Sequence, residues 1–162
     1  MFSLCYYLGL RVKELVELKL SDISLEGVFV NVTIQGVKRG YKKSYTLPET
    51  LSRVMRSYMR SLPQGTFWLF QSPKWKECHL ARPTAQLLFN KLRDRAGLDR
   101  KFSIHSLRHT CAMIKVRAGD SPVFIQDWLR QRCLESTMAY FRVGENLKYA
   151  ESVRVRDNAL FR

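Results

Sequence analysis

The chain has 162 residues, enough for one domain with a hydrophobic core, and 46% are hydrophobic, which excludes intrinsic disorder. No apolar run reaches the length of a membrane span. Lysine and arginine number 28 against 14 acidic residues, and the formal net charge of +14 indicates a polyanionic partner, either nucleic acid or an acidic membrane surface. Because arginines predominate, phosphate is the favoured ligand.

A helical pattern opens the chain and gives way to strands. The segment LCYYLGLRVKELVELKLSDI predicts two short helices that meet at Gly9. Alternating β-branched and aromatic residues predict strands over residues 28–35 and 43–48. The stretch between them, GVKRGYK, is rich in glycine and lysine and predicts a hairpin loop. Together these strands indicate a small antiparallel sheet near the N-terminus.

The rest of the chain has a helical pattern. Helix starts are predicted at Glu49, Pro83, Ile104 and Pro122. In the helix that starts at Pro83 we expect Leu87, Leu88 and Leu92 to be buried. A short helix in LESTMAYFRV and an amphipathic helix in NLKYAESVRVRDNALF complete the chain. The sequence therefore predicts an α+β fold, mainly helical, with one small N-terminal antiparallel sheet.

The cysteines and the N-terminus bear on where the protein acts. The four cysteines are far apart and show no metal-ligand spacing, so they are expected to be apolar core residues. The first residues, MFSLCYYLGLRVKE, lack the basic start and the cleavage site of a signal peptide. We therefore expect a cytoplasmic protein with no membrane association.

The histidines cluster in IHSLRHTCA, residues 104–112. His105 and Arg108 are three residues apart and so occupy neighbouring positions on one helix face. This short match is close to chance by itself. A metal site is disfavoured, because the third histidine, His79, lies in a predicted loop and no carboxylate follows at the next helical turn.

Other candidates have ordinary interpretations when each is taken singly. Arg11 and Glu14 have the spacing of a surface ion pair. Lys38 fits a solvated basic turn, and Tyr140 fits a buried helical tyrosine.

The order of these motifs is more informative than any one of them. Arg follows Gly-Leu on a helix, Lys lies in a hairpin turn, His-x-x-Arg follows on a helix, and Tyr comes near the C-terminus. This arrangement resembles the catalytic domain of the tyrosine recombinase (phage integrase) family. The matching stretches are YYLGLRVKELVELKLSDI, GVKRGYKKSYTLP, FSIHSLRHTCA and IQDWLRQRCLESTMAYFRV.

The resemblance implies a reaction and a role for each matching residue. Tyr140 would attack a DNA phosphate to give a 3′-phosphotyrosine and a free 5′-hydroxyl. Arg11 and Arg108 would stabilise the charge on the phosphate. His105 would transfer a proton, and Lys38 would protonate the leaving 5′ oxygen. The resemblance implies no metal or cofactor, and double-stranded DNA would be the partner.

Further residues have supporting roles in this interpretation. Glu14 would steady Arg11, and His109 is expected to pack or hydrogen-bond within the fold. Residues predicted to contact DNA are Arg39, Lys42, Lys43 and Arg130.

The sequence departs from the family in two respects. Gln131 stands where most members have histidine, in an LGH motif whose glycine is Arg130 here. Gln131 would donate a hydrogen bond to the phosphate as a catalytic residue, but it cannot titrate. Members also usually carry an N-terminal core-binding domain. We expect residues 1–162 to be a catalytic domain without it, beginning inside its first helix as a fragment, a split product or a truncated descendant.

Three functions remain open. The first is a site-specific recombinase or integrase of a mobile or circular element, acting in the cytoplasm or nucleoid of a bacterium, an archaeon or a virus-infected host. The others are a DNA-binding remnant that no longer cuts and a type IB topoisomerase-like DNA-relaxing enzyme. The C-terminal helix would either dock on a neighbouring protomer, giving self-association on DNA, or pack on its own domain.

Overall fold

The computed structural model describes residues 1–35 and 42–145. The elements in this part of the chain are α1 (Phe2–Leu8), α2 (Val12–Val16), a 3₁₀ helix (Leu20–Asp22), β1 (Ile23–Glu26), β2 (Phe29–Gln35), β3 (Lys42–Thr46), α3 (Glu49–Arg60), α4 (Arg82–Arg95), α5 (Ile104–Ala118) and α6 (Pro122–Trp128). Residues 135–145 are also helical, and this segment is called α7. The mainly helical α+β class is confirmed.

The break between α1 and α2 is at Gly9, as the sequence predicted. Gly9 has a φ of 60°, a conformation that favours glycine. A side chain there would also collide with Leu129, which packs directly against this turn. The break turns the backbone carbonyls of α1 toward the interior, where the candidate site uses them.

The sheet has the order β1-β2-β3 and is antiparallel throughout. Val32 on the central strand pairs with Ile23 on one side and Tyr45 on the other. The two predicted strands are confirmed to within two residues at each described end. β1 was not predicted: it has only four residues, and the first of them, Ile23, falls in the segment predicted to be helical. The predicted hairpin loop between β2 and β3 lies outside the described residues, apart from its last residue, Lys42.

The helix boundaries in the second half follow the predicted signals. α5 begins after Ser103 and ends at Gly119, whose φ is 86°. The hydroxyl of Ser121 accepts a hydrogen bond from the backbone N–H of Phe124 and so caps α6. α5 therefore has the predicted bounds, and it carries His105 and His109.

The prediction for the buried face of α4 was wrong. Leu87, Leu88 and Leu92 are exposed, whereas Ala85 and Phe89 are buried. Ala85 and Phe89 are four residues apart, so they share one helix face. The Phe89 ring contacts the edge of Phe2 on α1 at 5.3 Å between centroids. The buried face of α4 is therefore the one that meets Phe2 of α1.

Buried apolar residues form two groups that meet near the candidate site. The larger group joins α1, α2, the sheet and α3, and includes Leu15, Val32 and Leu47. The smaller group, which includes Ile125 and Tyr140, joins α5, α6 and α7. Trp128 packs against both groups. Arg11 begins α2, which contributes Leu15 to the larger group, and Tyr140 belongs to the smaller one, so the site depends on how the two groups pack together.

Candidate active site

A largely buried carboxylate, Glu14 on α2, is at the centre of the candidate site. It accepts hydrogen bonds from the backbone N–H of Arg11 at 2.8 Å and from Nη1 of Arg11 at 3.0 Å. Nη2 of Arg130 lies 3.1 Å from Oε2 of Glu14, and Nη1 of Arg108 lies 3.9 Å from the same oxygen. Three arginines from distant parts of the chain therefore meet at one carboxylate.

Arg108 lies beneath the surface of the site, with 2% of its area exposed. Its Nη1 donates to the Gly9 carbonyl and its Nη2 to the Leu129 carbonyl. A guanidinium has five N–H donors, so these two bonds use only part of its capacity. Burial, followed by the positive charges of Arg11 and Arg130, lowers the pKa of Arg108 to about 10. Arg108 is therefore still a cation at neutral pH.

Arg130 is placed differently from the prediction that it contacts DNA. Its side chain is 1% exposed, and its φ of 54° turns that side chain back into the protein. The guanidinium hydrogen-bonds to Glu14, to the Tyr45 hydroxyl and to the carbonyls of Leu8, Gly9 and Trp128. We correct the prediction, because all three guanidinium nitrogens of Arg130 donate to protein acceptors, so no N–H remains for DNA.

The pKa of Glu14 is lowered by its arginine partners. Burial alone raises the pKa, but the charge of Arg130 and the hydrogen bonds from Arg130 and Arg11 outweigh burial. A carboxyl with a lowered folded-state pKa stabilises the protein above its unfolded pKa. Glu14 is therefore expected to be a carboxylate across the neutral range.

Stability should consequently fall in acid through Glu14. As the pH drops below about 4.3, the unfolded chain protonates Glu14 before the folded chain does, so the free energy of unfolding decreases. Glu14→Gln should show less of this decrease in urea titrations between pH 7 and pH 3. Glu135→Gln, at an exposed position on α7, is the control and should keep it. Equal pH dependence in Glu14→Gln and the unaltered chain would contradict the assignment.

Tyr140 on α7 is 9% exposed and packs in the smaller core group. Burial raises the pKa of the Tyr140 phenol, while the charge of Arg108 and the neighbouring Gln131 side chain lower it, and the net pKa is above its ordinary value. The phenol is thus protonated at neutral pH and needs a proton acceptor before it can act as a nucleophile.

Two histidines of α5 lie in a row beside this tyrosine. The rings of His105 and His109 are 4.5 Å apart, and the His109 ring is 5.5 Å from that of Tyr140. The pKa of His105 is lowered by burial and then by His109, and that of His109 by burial and then by Arg108. His109 was expected to pack or hydrogen-bond within the fold; it is exposed and contacts the rings of His105 and Tyr140. Its spacing of four residues from His105 was the sequence signal for this contact.

Gln131 lies in the segment between α6 and α7. Its side-chain oxygen accepts a hydrogen bond from the Thr137 hydroxyl, so its amide nitrogen is oriented as the donor. Gln131 also lines a cleft of about 1210 Å³, which Arg11 and Lys42 line as well. The predicted phosphate donor therefore has access to a surface large enough for a macromolecular ligand.

The remaining basic residues differ in their environment. Lys43 forms an ion pair with Asp127, and its ammonium lies 5.6 Å from the Tyr45 ring. The charge of Lys43 therefore already has partners within the protein. Lys38 and Arg39 lie outside the described residues. The cleft also exposes Lys13, Lys19 and Arg132, which sequence reasoning did not single out.

Two further observations concern ligands and membranes. Within residues 1–35 and 42–145, no three His, Cys, Asp or Glu side chains are grouped as a metal site. No helix in this part of the chain is long and apolar enough to cross a bilayer.

Comparison with known proteins decides the family. Residues 1–146 match the phage integrase family model. The chain belongs to the phage integrase family. The resemblance inferred from the order of the motifs is thereby confirmed.

Relatives within the phage integrase family include curated recombinases. The putative integrase/recombinase y4qK of Sinorhizobium fredii is 34% identical, covering 91% of this chain and 47% of the relative. The tyrosine recombinase XerA of Pyrococcus furiosus is 32% identical, covering 91% of this chain and 51% of XerA. The chain thus spans about half the length of these relatives.

Solved structures show the same fold. A crystal structure of XerA recombinase matches with a TM-score of 0.76 at 26% identity, covering 93% of this chain and 56% of that one. XerH site-specific recombinase, bound to a palindromic difH substrate, matches with a TM-score of 0.78 at 20% identity, covering 94% and 44%. The catalytic-domain fold of the phage integrase family therefore extends over nearly all of this chain.

Proposed function

We propose that residues 1–162 act as the catalytic domain of a site-specific DNA recombinase that cleaves and rejoins DNA through a 3′-phosphotyrosine intermediate. One observation carries the proposal: Arg11, at the start of α2, and Arg108, on α5, both lie beside the Glu14 carboxylate, at 3.0 and 3.9 Å, and the ring of His109, next to Arg108 on α5, is 5.5 Å from the Tyr140 ring on α7. Two cations and a potential nucleophile from three distant segments are the groups that phosphoryl transfer by a tyrosine needs.

The proposed reaction begins with loss of the phenol proton. Tyr140 attacks the phosphorus of the scissile phosphate, its O–P bond forms, and the bond to the 5′ oxygen breaks. The proton from Tyr140 passes to a neighbouring acceptor, and His105 is the proposed transfer group because its lowered pKa leaves it neutral. Lys38 retains its proposed role of protonating the 5′ oxygen.

Negative charge that develops on the non-bridging oxygens requires donors that are already in place. Arg11, held by Glu14 at the edge of the cleft, is one such donor. Arg108, which is buried beneath the site, is proposed as the second donor, and the amide nitrogen of Gln131 as the third. Rejoining is the reverse attack, in which a 5′-hydroxyl displaces Tyr140, so bond energy is conserved without a nucleotide cofactor.

Double-stranded DNA is the proposed partner, as the net charge of +14 and the XerH complex both suggest. Exchange between two duplexes needs more than one tyrosine, which favours self-association on DNA. The C-terminal helix proposed for that contact lies outside the described residues.

The test is covalent trapping on nicked duplex DNA of randomised sequence. A nick beside the cleavage point lets the short 5′-hydroxyl fragment diffuse away, so the phosphotyrosine accumulates as an SDS-resistant adduct. We expect the unaltered chain to form this adduct, with peptide mass spectrometry locating DNA on Tyr140. Tyr140→Phe should abolish the adduct, and Tyr6→Phe, at an exposed tyrosine of α1, should retain it.

The same assay separates the other functions. Binding without any adduct would contradict cleavage by this chain and favour a DNA-binding remnant. Relaxation of supercoiled plasmid without joining of two duplexes would favour a topoisomerase-like activity. An adduct that persists in Tyr140→Phe would exclude Tyr140 as the nucleophile.

A further inference from the structure

The cleft does not end at Arg11 and Gln131. Its lining also includes Lys19, which precedes the 3₁₀ helix, and Trp68 and His79, which lie between α3 and α4. The backbones of Lys19 and Trp68 are joined by an antiparallel bridge. The rings of Trp68 and His79 meet edge to face, with centroids 5.1 Å apart. These three residues form what we call the distal cluster.

The rings of the distal cluster are fixed by hydrogen bonds to backbone. Nε1 of Trp68 donates to the Glu77 carbonyl at 3.0 Å. Nδ1 of His79 lies 2.9 Å from the Leu80 carbonyl, and because a carbonyl only accepts, Nδ1 carries the proton. Side chains fixed in this way give Lys19 a preorganised support.

The ammonium group of Lys19 rests on this aromatic support. Its Nζ lies 5.7 Å from the Trp68 ring and 5.1 Å from the Phe67 ring, at cation–π distances. Across residues 1–35 and 42–145, Lys19 takes part in no ion pair between side chains. The nearby carboxylate of Asp22 instead accepts the backbone N–H of Lys19 at 2.9 Å. The charge of Lys19 is therefore available to an anion in the cleft.

Two other basic residues of the cleft lie next to carboxylates. Nη1 of Arg11 is bonded to Glu14, and Nζ of Lys13 lies 4.0 Å from Glu17. The ammonium group of Lys19 thus has two features that favour phosphate binding. It is positioned by the aromatic rings, and no side-chain carboxylate among the described residues is paired with it.

We propose that the distal cluster is a second DNA contact, in which Lys19 binds a backbone phosphate of the duplex away from the scissile phosphate. This inference rests on the proposed function, which puts the scissile phosphate at Arg11 in the same cleft. Phosphates repeat along each strand, so a duplex held at Arg11 presents further phosphates along the cleft. Such a contact positions DNA without reading its sequence.

A duplex of arbitrary sequence tests this site, because a phosphate contact is independent of sequence. Affinity is measured by fluorescence anisotropy on a 40-base-pair duplex, at a series of KCl concentrations. Lys19→Ala should bind about three- to fivefold more weakly. The slope of log K against log salt should become shallower by about 0.9, the value for one lost phosphate contact.

Two matched variants complete the design. Lys19→Arg keeps the charge and should retain the affinity and the slope. Lys101 also lies over an aromatic ring, that of Phe102 at 5.9 Å, but it is outside the cleft, so Lys101→Ala should bind nearly as the unaltered chain does. Thermal unfolding of all three variants checks that they remain folded.

Each outcome either supports or overturns the site. An unchanged slope in Lys19→Ala, or equal losses in Lys19→Ala and Lys101→Ala, overturns it. Covalent trapping, run in parallel, tests the proposed function separately: adduct formation with an unchanged slope refutes only the distal site. A Lys19-dependent slope without any adduct refutes only cleavage. A chain that does not bind the duplex overturns both.

Discussion

Replacing Arg108 with alanine is expected to lower the rate of DNA cleavage by a factor of about 10²–10³, the usual cost of removing one donor to a developing oxyanion. DNA affinity should fall far less, because Arg108 is buried beneath the cleft and Arg11 lines its surface. Single-turnover rates on a nicked substrate at saturating protein measure the first effect, and anisotropy measures the second.

The control for Arg108 must separate chemistry from folding. Arg108 also donates to the carbonyls of Gly9 and Leu129, so Arg108→Ala leaves two buried acceptors unpaired and lowers the free energy of unfolding. Arg108→Lys keeps the charge but has fewer donors in a different geometry. We expect Arg108→Lys to remain folded by circular dichroism and to cleave nearly as slowly as the alanine variant. Equal losses of binding and cleavage would make Arg108 a phosphate anchor only.

Gln131 affects the proton transfers of the proposed reaction, because most family members have a histidine at this position. Its amide can stabilise a phosphate oxygen but cannot give or take a proton at neutral pH. In the proposed reaction the phenol proton would therefore pass to the histidines of α5, whose rings form a row ending at Tyr140, while Lys38 would protonate the 5′ oxygen. A buried phenol with a raised pKa makes that transfer more demanding.

The sequence predicted the fold class and the order of the site because local signals encode both. Gly9 breaks the first helix, Ser121 caps α6, and the spacing of His105 and Arg108 places them on one face of α5. None of these features depends on residues far away in the chain.

Other features depend on tertiary contacts that no local pattern records. Three leucines of α4 were expected inside, but Phe89 is buried instead, against Phe2 on α1. The same applies to Arg130, whose hydrogen-bond partners Tyr45 and Leu8 are 85 and 122 residues away along the chain. A charged residue at a glycine position of the family suggested a surface contact. Its positive φ reverses the direction of the side chain, which only the folded backbone reveals.

Arg130 gives the prediction with the largest effect on stability. Arg130→Ala should lower the free energy of unfolding by about 3–5 kcal/mol, because it leaves the buried carboxylate of Glu14 without its main partner. Arg130→Gly should be less harmful than alanine by about 1 kcal/mol, since glycine adopts the φ of 54° without strain. Arg132→Ala, at an exposed position two residues further on, is the matched control and should change stability by less than about 0.5 kcal/mol.

The structural role of Arg130 can be separated from a DNA contact by a double-mutant cycle. If Arg130 acts through Glu14, the variant with both Glu14→Gln and Arg130→Ala should lose less stability than the two single variants added together, by at least about 1 kcal/mol. Urea titrations of the four proteins measure this coupling. Additive losses would show that Arg130 and Glu14 act independently. A fully stable Arg130→Ala whose only defect is a shallower salt dependence of DNA binding would restore the surface role that burial argues against.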